Sequence, residues 1–185
     1  MSELKLYDNL MKVGLGIEAC LEKKLDLPAL VLIYSGIDVA GWLASPKPHA
    51  ERSTFIDWVN SYLLQAKPLR CTAIDLYAAR CGILHSLSPY SRPFQKERPR
   101  LMCYAYGTAR AEDVQRTIID MKRADRYVAV HVNELFEAWR LGILRFIEEL
   151  EGDPVKKRRV YEKAEKFFSP LSPEFLNQAL AGLQK

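Results

Sequence analysis

Apolar residues recur every three or four positions through the first half of the chain, which is the spacing of amphipathic helices. The pattern predicts helices over 3–24, from Asp26 to the residue before Ser45, over 53–66, and over 71–85. The second segment is apolar nearly all round, so we expect it at the centre of the domain. Four helices with short links predict an antiparallel, up-and-down helical bundle.

The fourth predicted helix carries an apolar stripe of its own. Side chains three or four positions apart on a helix share one face, and here they are Ile74, Tyr77, Ala78, Cys81 and Leu84. We therefore expect this stripe to face the core and Arg80 to point away from it.

The pattern changes after residue 100. LMCYAY (101–106) and YVAVHV (127–132) are short runs rich in β-branched and aromatic residues, which predicts two strands. A helical pattern over 112–122 separates them, so a tight hairpin is excluded and a parallel crossover is favoured. A long helix begins at Asn133, and stop-and-start signals at 152–154 and 172–174 predict further helices. The predicted fold class is mostly α, with a small two-stranded β–α–β insertion and C-terminal helices.

These patterns divide the chain into a bundle core over 1–90, a basic loop and β–α–β insertion over 91–132, and C-terminal helices over 133–185. With 185 residues and 49% hydrophobic content, we expect one folded domain overall. The net charge of +4 permits an anionic partner without requiring one.

The most apolar run, at 29–44, is 16 residues long and contains Asp38. A membrane span needs about 20 apolar residues. No charged segment followed by an apolar stretch opens the chain, as a leader peptide would. These features predict a cytoplasmic protein without a membrane partner.

Metal and cofactor patterns are missing from the sequence. The cysteines stand at 20, 71, 81 and 103 and, with three histidines, show no spacing typical of a metal site. No glycine-rich phosphate loop is present either. We expect free thiols in a reducing compartment and no metal or other cofactor.

The main chemical candidate is the pair Arg80 and His85, at the end of the fourth predicted helix. Imidazole suits proton transfer near neutral pH, and guanidinium is a permanently charged fork for phosphate oxygens. Residues five apart on a straight helix are separated by about 140° and about 7.5 Å. We therefore expect the two side chains to meet only if Gly82 distorts the helix or two copies share a cleft. The structural alternative is that His85 interacts with the helix dipole while Arg80 pairs with Asp75 or reaches solvent.

The segment RCGILH (80–85) matches the R-x4-6-H signature of the HEPN superfamily. IDVAGWL (37–43), FIDWVNSYL (55–63), LYAARCGILHSLSP (76–89) and YAYGTA (104–109) also resemble bacterial proteins of that superfamily, so the resemblance covers roughly residues 1–150. It implies a helical bundle, a homodimer with a composite site, and a metal-independent endoribonuclease in which Arg80 and His85 are catalytic. It further implies a setting in stress response, toxin action or phage defence, with an antitoxin-like protein as a possible partner.

One position departs from the active members of this superfamily. Cys81 follows the arginine where they usually carry a polar residue, and a thiol is a poor hydrogen-bond donor. A catalytically silent HEPN module that binds nucleotide, RNA or a protein partner is therefore the alternative.

A basic segment follows His85 and also contains aromatic residues. Basic side chains bind phosphates and aromatic rings stack on bases, so we predict an RNA-binding segment, with a solvated loop as the alternative. Its predicted RNA-binding residues are Arg92, Lys96, Arg98 and Arg100. A second basic run, over 156–159, is interpreted as a solvated helix face.

Overall fold

The computed structural model describes residues 2–87 and 98–166 of the chain. These residues are mostly helical and include a small two-stranded parallel sheet, which confirms the predicted mostly α composition. The elements in chain order are α1 (Ser2–Glu22), α2 (Asp26–Ala44), α3 (Arg52–Trp58), a π-helical turn (Val59–Leu63), α4 (Leu64–Ala66), α5 (Ala73–Ser86), β1 (Leu101–Ala105), α6 (Ala111–Asp120), β2 (Tyr127–His131), α7 (Val132–Gly152) and α8 (Pro154–Ala164).

The apolar helix α2 lies at the centre, in contact with α1, α3, α5, α7 and α8. At Gly41 it approaches α3 so closely that an added Cβ would lie 2.5 Å from the Thr54 carbonyl oxygen. Among the described residues, α2 is the one helix long and apolar enough to cross a membrane, but half of that stretch is buried inside the fold. Its apolar surface is therefore largely taken up by the core.

A π-helical turn joins α3 to α4 and directs side chains toward the C-terminal helices. The Leu64 N–H donates to the Val59 carbonyl oxygen, which is the i→i+5 bond of a π-helix. Within this turn the Tyr62 hydroxyl donates to Glu149 of α7 at 2.5 Å and accepts from Lys156 of α8 at 2.5 Å. The turn thus connects the α3 segment to both C-terminal helices.

The sheet pairs β1 with β2 in parallel, from Leu101 opposite Tyr127 to Ala105 opposite His131. The helix α6 joins the two strands and contacts both of them. Each strand also packs against a long helix: β1 contacts α5, and β2 contacts α7.

The basic run at 156–159 is predicted to be a solvated helix face, and Arg158 is indeed exposed, but the prediction is wrong for Lys156. Lys156 is bonded to Tyr62 and Glu149, and only 13% of its side chain is exposed. Lys163, one turn beyond the run, is buried and its Nζ donates to three carbonyl oxygens, those of Trp42, Ser45 and Lys47, at 2.5–2.7 Å. Burial lowers the pKa of Lys163. The ammonium caps the C-terminal end of α2, where carbonyl groups lack helical partners.

Candidate functional site

The buried face of α5 overlaps only in part with its predicted apolar stripe: Ala78 is buried as expected, while Tyr77 and Leu84 pack against the core but remain partly exposed. Leu76, Ala79 and Ile83 are buried, whereas Tyr77 and Cys81 are only partly buried. The stripe was misleading because apolar residues occur on nearly every side of this helix, so contacts with α2, α3 and β1 decide its orientation. The partly exposed side therefore includes Arg80 and its helical neighbours.

Arg80 and His85 meet within a single chain. Arg80 Nη1 lies 3.2 Å from His85 Nε2, while Arg80 Nε and Nη2 each lie 2.7 Å from Oδ2 of Asp38 in α2. The expectation that an undistorted helix in one chain would keep the pair apart is wrong. It considered only the directions of the Cβ atoms, whereas the long arginine side chain reaches the next turn while α5 remains a continuous helix. The suggested pairing of Arg80 with Asp75 is also wrong.

This contact gives the two side chains different roles. A guanidinium can only donate hydrogen bonds, so Nε2 of His85 is the acceptor in this contact. His85 is exposed in the last turn of α5, and 22% of the Arg80 side chain is exposed. A lone pair that can accept a proton and a permanent positive charge therefore meet at one solvent-accessible point.

Asp38 holds the arginine in this orientation. Burial raises the pKa of Asp38, and the neighbouring guanidinium offsets only part of this effect. For Arg80, burial lowers the pKa, but the hydrogen bond and charge of Asp38 outweigh it and leave the pKa raised. The carboxylate thus occupies the Nε and Nη2 edge of the guanidinium and leaves Nη1 directed at His85.

Asp38 was not among the predicted site residues. The available signal was an acidic residue inside the most apolar segment of the chain, at 29–44. Buried charges in proteins are usually paired, so a lone carboxylate there implies a cationic partner elsewhere in the fold. The pattern could not identify Arg80 as this partner, since the two residues are 42 positions apart.

Arg100, one of the predicted RNA-binding residues, makes internal contacts. Its Nη2 and Nε lie 2.7 and 3.1 Å from Asp75 Oδ2, and its backbone N–H donates to Asp75 Oδ1 at 2.7 Å. Asp75 also accepts from the Thr72 backbone N–H in the capping box that begins α5. The guanidinium therefore ties the start of β1 to the start of α5.

The other predicted basic residues are distributed differently. Arg98 is exposed and has a left-handed backbone, with φ of 39°. Arg92 and Lys96 lie outside the described residues. In the described ranges, no group of three His, Cys, Asp or Glu side chains is arranged to hold a metal ion.

Comparison of the chain with protein-family models, with curated proteins and with solved structures finds no match.

Proposed function

We propose that this protein is a HEPN-type, metal-independent endoribonuclease in which His85 transfers a proton and Arg80 binds the phosphate. The observation that carries the proposal is the 3.2 Å contact between Arg80 Nη1 and His85 Nε2 at the exposed end of α5. An RNA phosphate inserted at this point would accept from the guanidinium, and its neighbouring 2′-hydroxyl would donate to the imidazole.

The attack on phosphorus needs only these side chains and the RNA, and the departing 5′-oxygen also needs a proton from a donor on the opposite side of phosphorus. His85 Nε2 takes the proton of the 2′-hydroxyl, and the 2′-oxygen attacks phosphorus while the bond to the 5′-oxygen breaks. The products are a 2′,3′-cyclic phosphate and a 5′-hydroxyl end. Arg80 compensates the negative charge on the phosphate oxygens. Proton transfer by His85 is general acid–base catalysis, which contributes a factor of about 10² to 10⁴ in rate.

A homodimer belongs to the same proposal. In an in-line displacement the leaving 5′-oxygen lies on the side of phosphorus opposite the attacking 2′-oxygen. One imidazole cannot reach both sides, so a second copy of the chain would supply the proton donor there. The proposal also includes an antiparallel, up-and-down arrangement of the bundle helices, a cytoplasmic location, and a role in stress response, toxin action or phage defence with an antitoxin-like partner.

The test is cleavage of end-labelled RNA in EDTA by the wild-type protein, His85→Ala and Arg80→Ala. We expect cleavage by wild type, loss of at least about 100-fold in each variant, and 2′,3′-cyclic phosphate product ends. His49→Ala is the matched control, because His49 is exposed in the loop between α2 and α3. Equal cleavage by all four proteins would show a contaminating nuclease and would contradict the proposal.

The second candidate is a catalytically silent HEPN module that binds nucleotide, RNA or a protein partner. Cys81 favours it, because a thiol stands directly after Arg80 where a stronger hydrogen-bonding group would aid substrate binding. Salt-dependent RNA binding without cleavage by wild type would support this candidate over the nuclease.

A further inference from the structure

A groove runs between α1 and α7 on the described surface. It encloses about 360 Å³ and extends along α1 from Tyr7 to Glu18. Its lining is mostly apolar, and three of the apolar side chains are about half exposed: Met11 (59%), Leu15 (55%) and Leu144 (49%). Covering such side chains is favourable, and exposed apolar patches often mark interaction sites. The groove is therefore a surface that an apolar partner would fit.

The last described residues, at the end of α8, lie beside one end of this groove. The helix α8 packs against α1, and Lys5 Nζ donates to the Glu165 carbonyl oxygen at 2.7 Å. Lys5 is two positions before Tyr7, where the groove begins. The sequence continues after Lys166 for 19 residues, 167–185, which lie outside the described residues. This segment therefore leaves α8 close to one end of the groove.

The residue pattern of this segment suits an apolar groove. Ser172 followed by Pro173 is a helix-start signal, which predicts a helix over 173–185. The apolar side chains of this predicted helix recur every three or four positions, so they share one side. They are Phe175, Leu176, Ala179, Leu180 and Leu183, whereas Glu174, Asn177 and Gln178 fall on the other side. The predicted helix is thus amphipathic.

The lengths of the groove and of the predicted helix agree. A helix over 173–185 would be about 20 Å long, and the stretch of α1 from Tyr7 to Glu18 spans about 18 Å. The connecting residues, 167–172, can extend up to about 20 Å. This connection is long enough for the helix to begin at the Tyr7 end of the groove.

We propose that residues 173–185 dock as an amphipathic helix in the groove between α1 and α7 of the same chain. The apolar side of this helix covers Met11, Leu15 and Leu144, and its polar side faces solvent. A short connection holds a tethered segment at an effective concentration of about millimolar. This advantage favours the chain's own segment over a second copy as the occupant.

Oxidation by hydrogen peroxide, followed by peptide mass spectrometry, tests whether the groove is covered. Met11 in the groove and Met121 beyond α6 are 59% and 67% exposed, so an open groove would give them similar oxidation rates. We expect Met11 of the full-length wild type to react at least about 10-fold more slowly than Met121, because the open form is then the minor state. Similar rates for the two methionines would overturn the inference.

Two variants of the segment identify the occupant. Leu180→Asp places a charge on the apolar side of the predicted helix, so we expect the Met11 rate to rise to about that of Met121. Gln178→Asp is the matched control, because it adds the same charge on the polar side and should leave Met11 protected. Protection of Met11 that persists in Leu180→Asp would mean that another occupant, such as a second copy of the chain, covers the groove. That result would overturn the inference.

A variant of the groove itself tests the contact from the other side. Leu15→Asp places a charge in the groove, and Ile119→Asp is the control because Ile119 of α6 is equally exposed, at 56% against 55%. We expect the backbone amides of 175–183 to exchange hydrogen at least about 10-fold faster in Leu15→Asp than in wild type, and unchanged in Ile119→Asp. Equal exchange in Leu15→Asp and wild type would show that the segment does not occupy the groove, and the inference would fail.

Discussion

Replacing Arg100 with methionine tests whether this residue is structural. Methionine retains an apolar stem but removes the two side-chain hydrogen bonds to Oδ2 of Asp75. The Asp75 side chain is only 4% exposed, so water replaces the lost donors poorly. Backbone N–H groups of Thr72 and of residue 100 continue to donate to the carboxylate.

The expected loss follows from these contacts. Breaking a buried ion pair by removing one partner costs about 3–5 kcal/mol. The lower end applies here, because two backbone donors remain and the Arg100 side chain is 27% exposed. We expect the free energy of unfolding to fall by about 3 kcal/mol and the thermal midpoint to fall by about 6–12 °C.

The assay is urea unfolding at neutral pH, followed by circular dichroism and tryptophan fluorescence. Arg98→Met is the matched control, because Arg98 is an exposed arginine two residues away and its loss should change stability by less than about 0.5 kcal/mol. A loss below about 1 kcal/mol in Arg100→Met would refute the reasoning. Weaker RNA binding by the folded Arg100→Met protein than by wild type would support a binding role for Arg100.

Three further predictions concern other contacts of the central helix. Burial raises the pKa of Asp38, so the wild-type protein should lose stability as the pH rises above the ordinary aspartate pKa of about 4. Asp38→Asn lacks this group, so we expect the stability difference between variant and wild type in urea unfolding to shift in favour of the variant as pH rises above about 4, while RNA cleavage is lost. A shift in favour of wild type would contradict this. Lys163→Met deprives three carbonyl oxygens of a charged donor, so we expect the free energy of unfolding in urea to fall by about 2–4 kcal/mol. Lys166→Met is the control, because Lys166 is exposed and its loss should change this free energy by less than about 0.5 kcal/mol. Gly41→Ala places a methyl group against the α3 backbone and should lower stability by about 1–3 kcal/mol, whereas Gly152→Ala, with no atom within 4 Å of the added Cβ, should not lower the thermal midpoint.

Residue spacing predicted the helices and both strands of the described residues, because period and length are local properties of a sequence; the helix predicted after 172–174 lies outside those residues. The central place of α2 could be predicted for the same reason, since a helix that is apolar all round must be covered. The orientation of α5 could not, because apolar residues occur on nearly all of its sides and its neighbours decide which side is buried. The angle between Arg80 and His85 on the helix did not predict their contact, because the arginine side chain is long enough to reach the next turn.

The charged contacts that organise the site were beyond prediction from local patterns. Asp38 and Arg80 are separated by 42 positions, and Asp75 and Arg100 by 25. A single sequence contains no signal for pairs at such distances, and composition could not show that one arginine of the basic segment is internal. Only the packing of α2 and β1 against α5 brings these residues together.

The π-helical turn at Val59–Leu63 has an implication for how this chain tolerates changes in length. A π-helical turn accommodates one residue more than the α-helical turn it replaces. Deleting one residue there would restore a regular helix and rotate everything that follows by about 100°. Tyr62 would then swing away from Glu149 and Lys156, and the two C-terminal helices would lose this point of attachment. Length variants of this protein should therefore be rejected in this one turn.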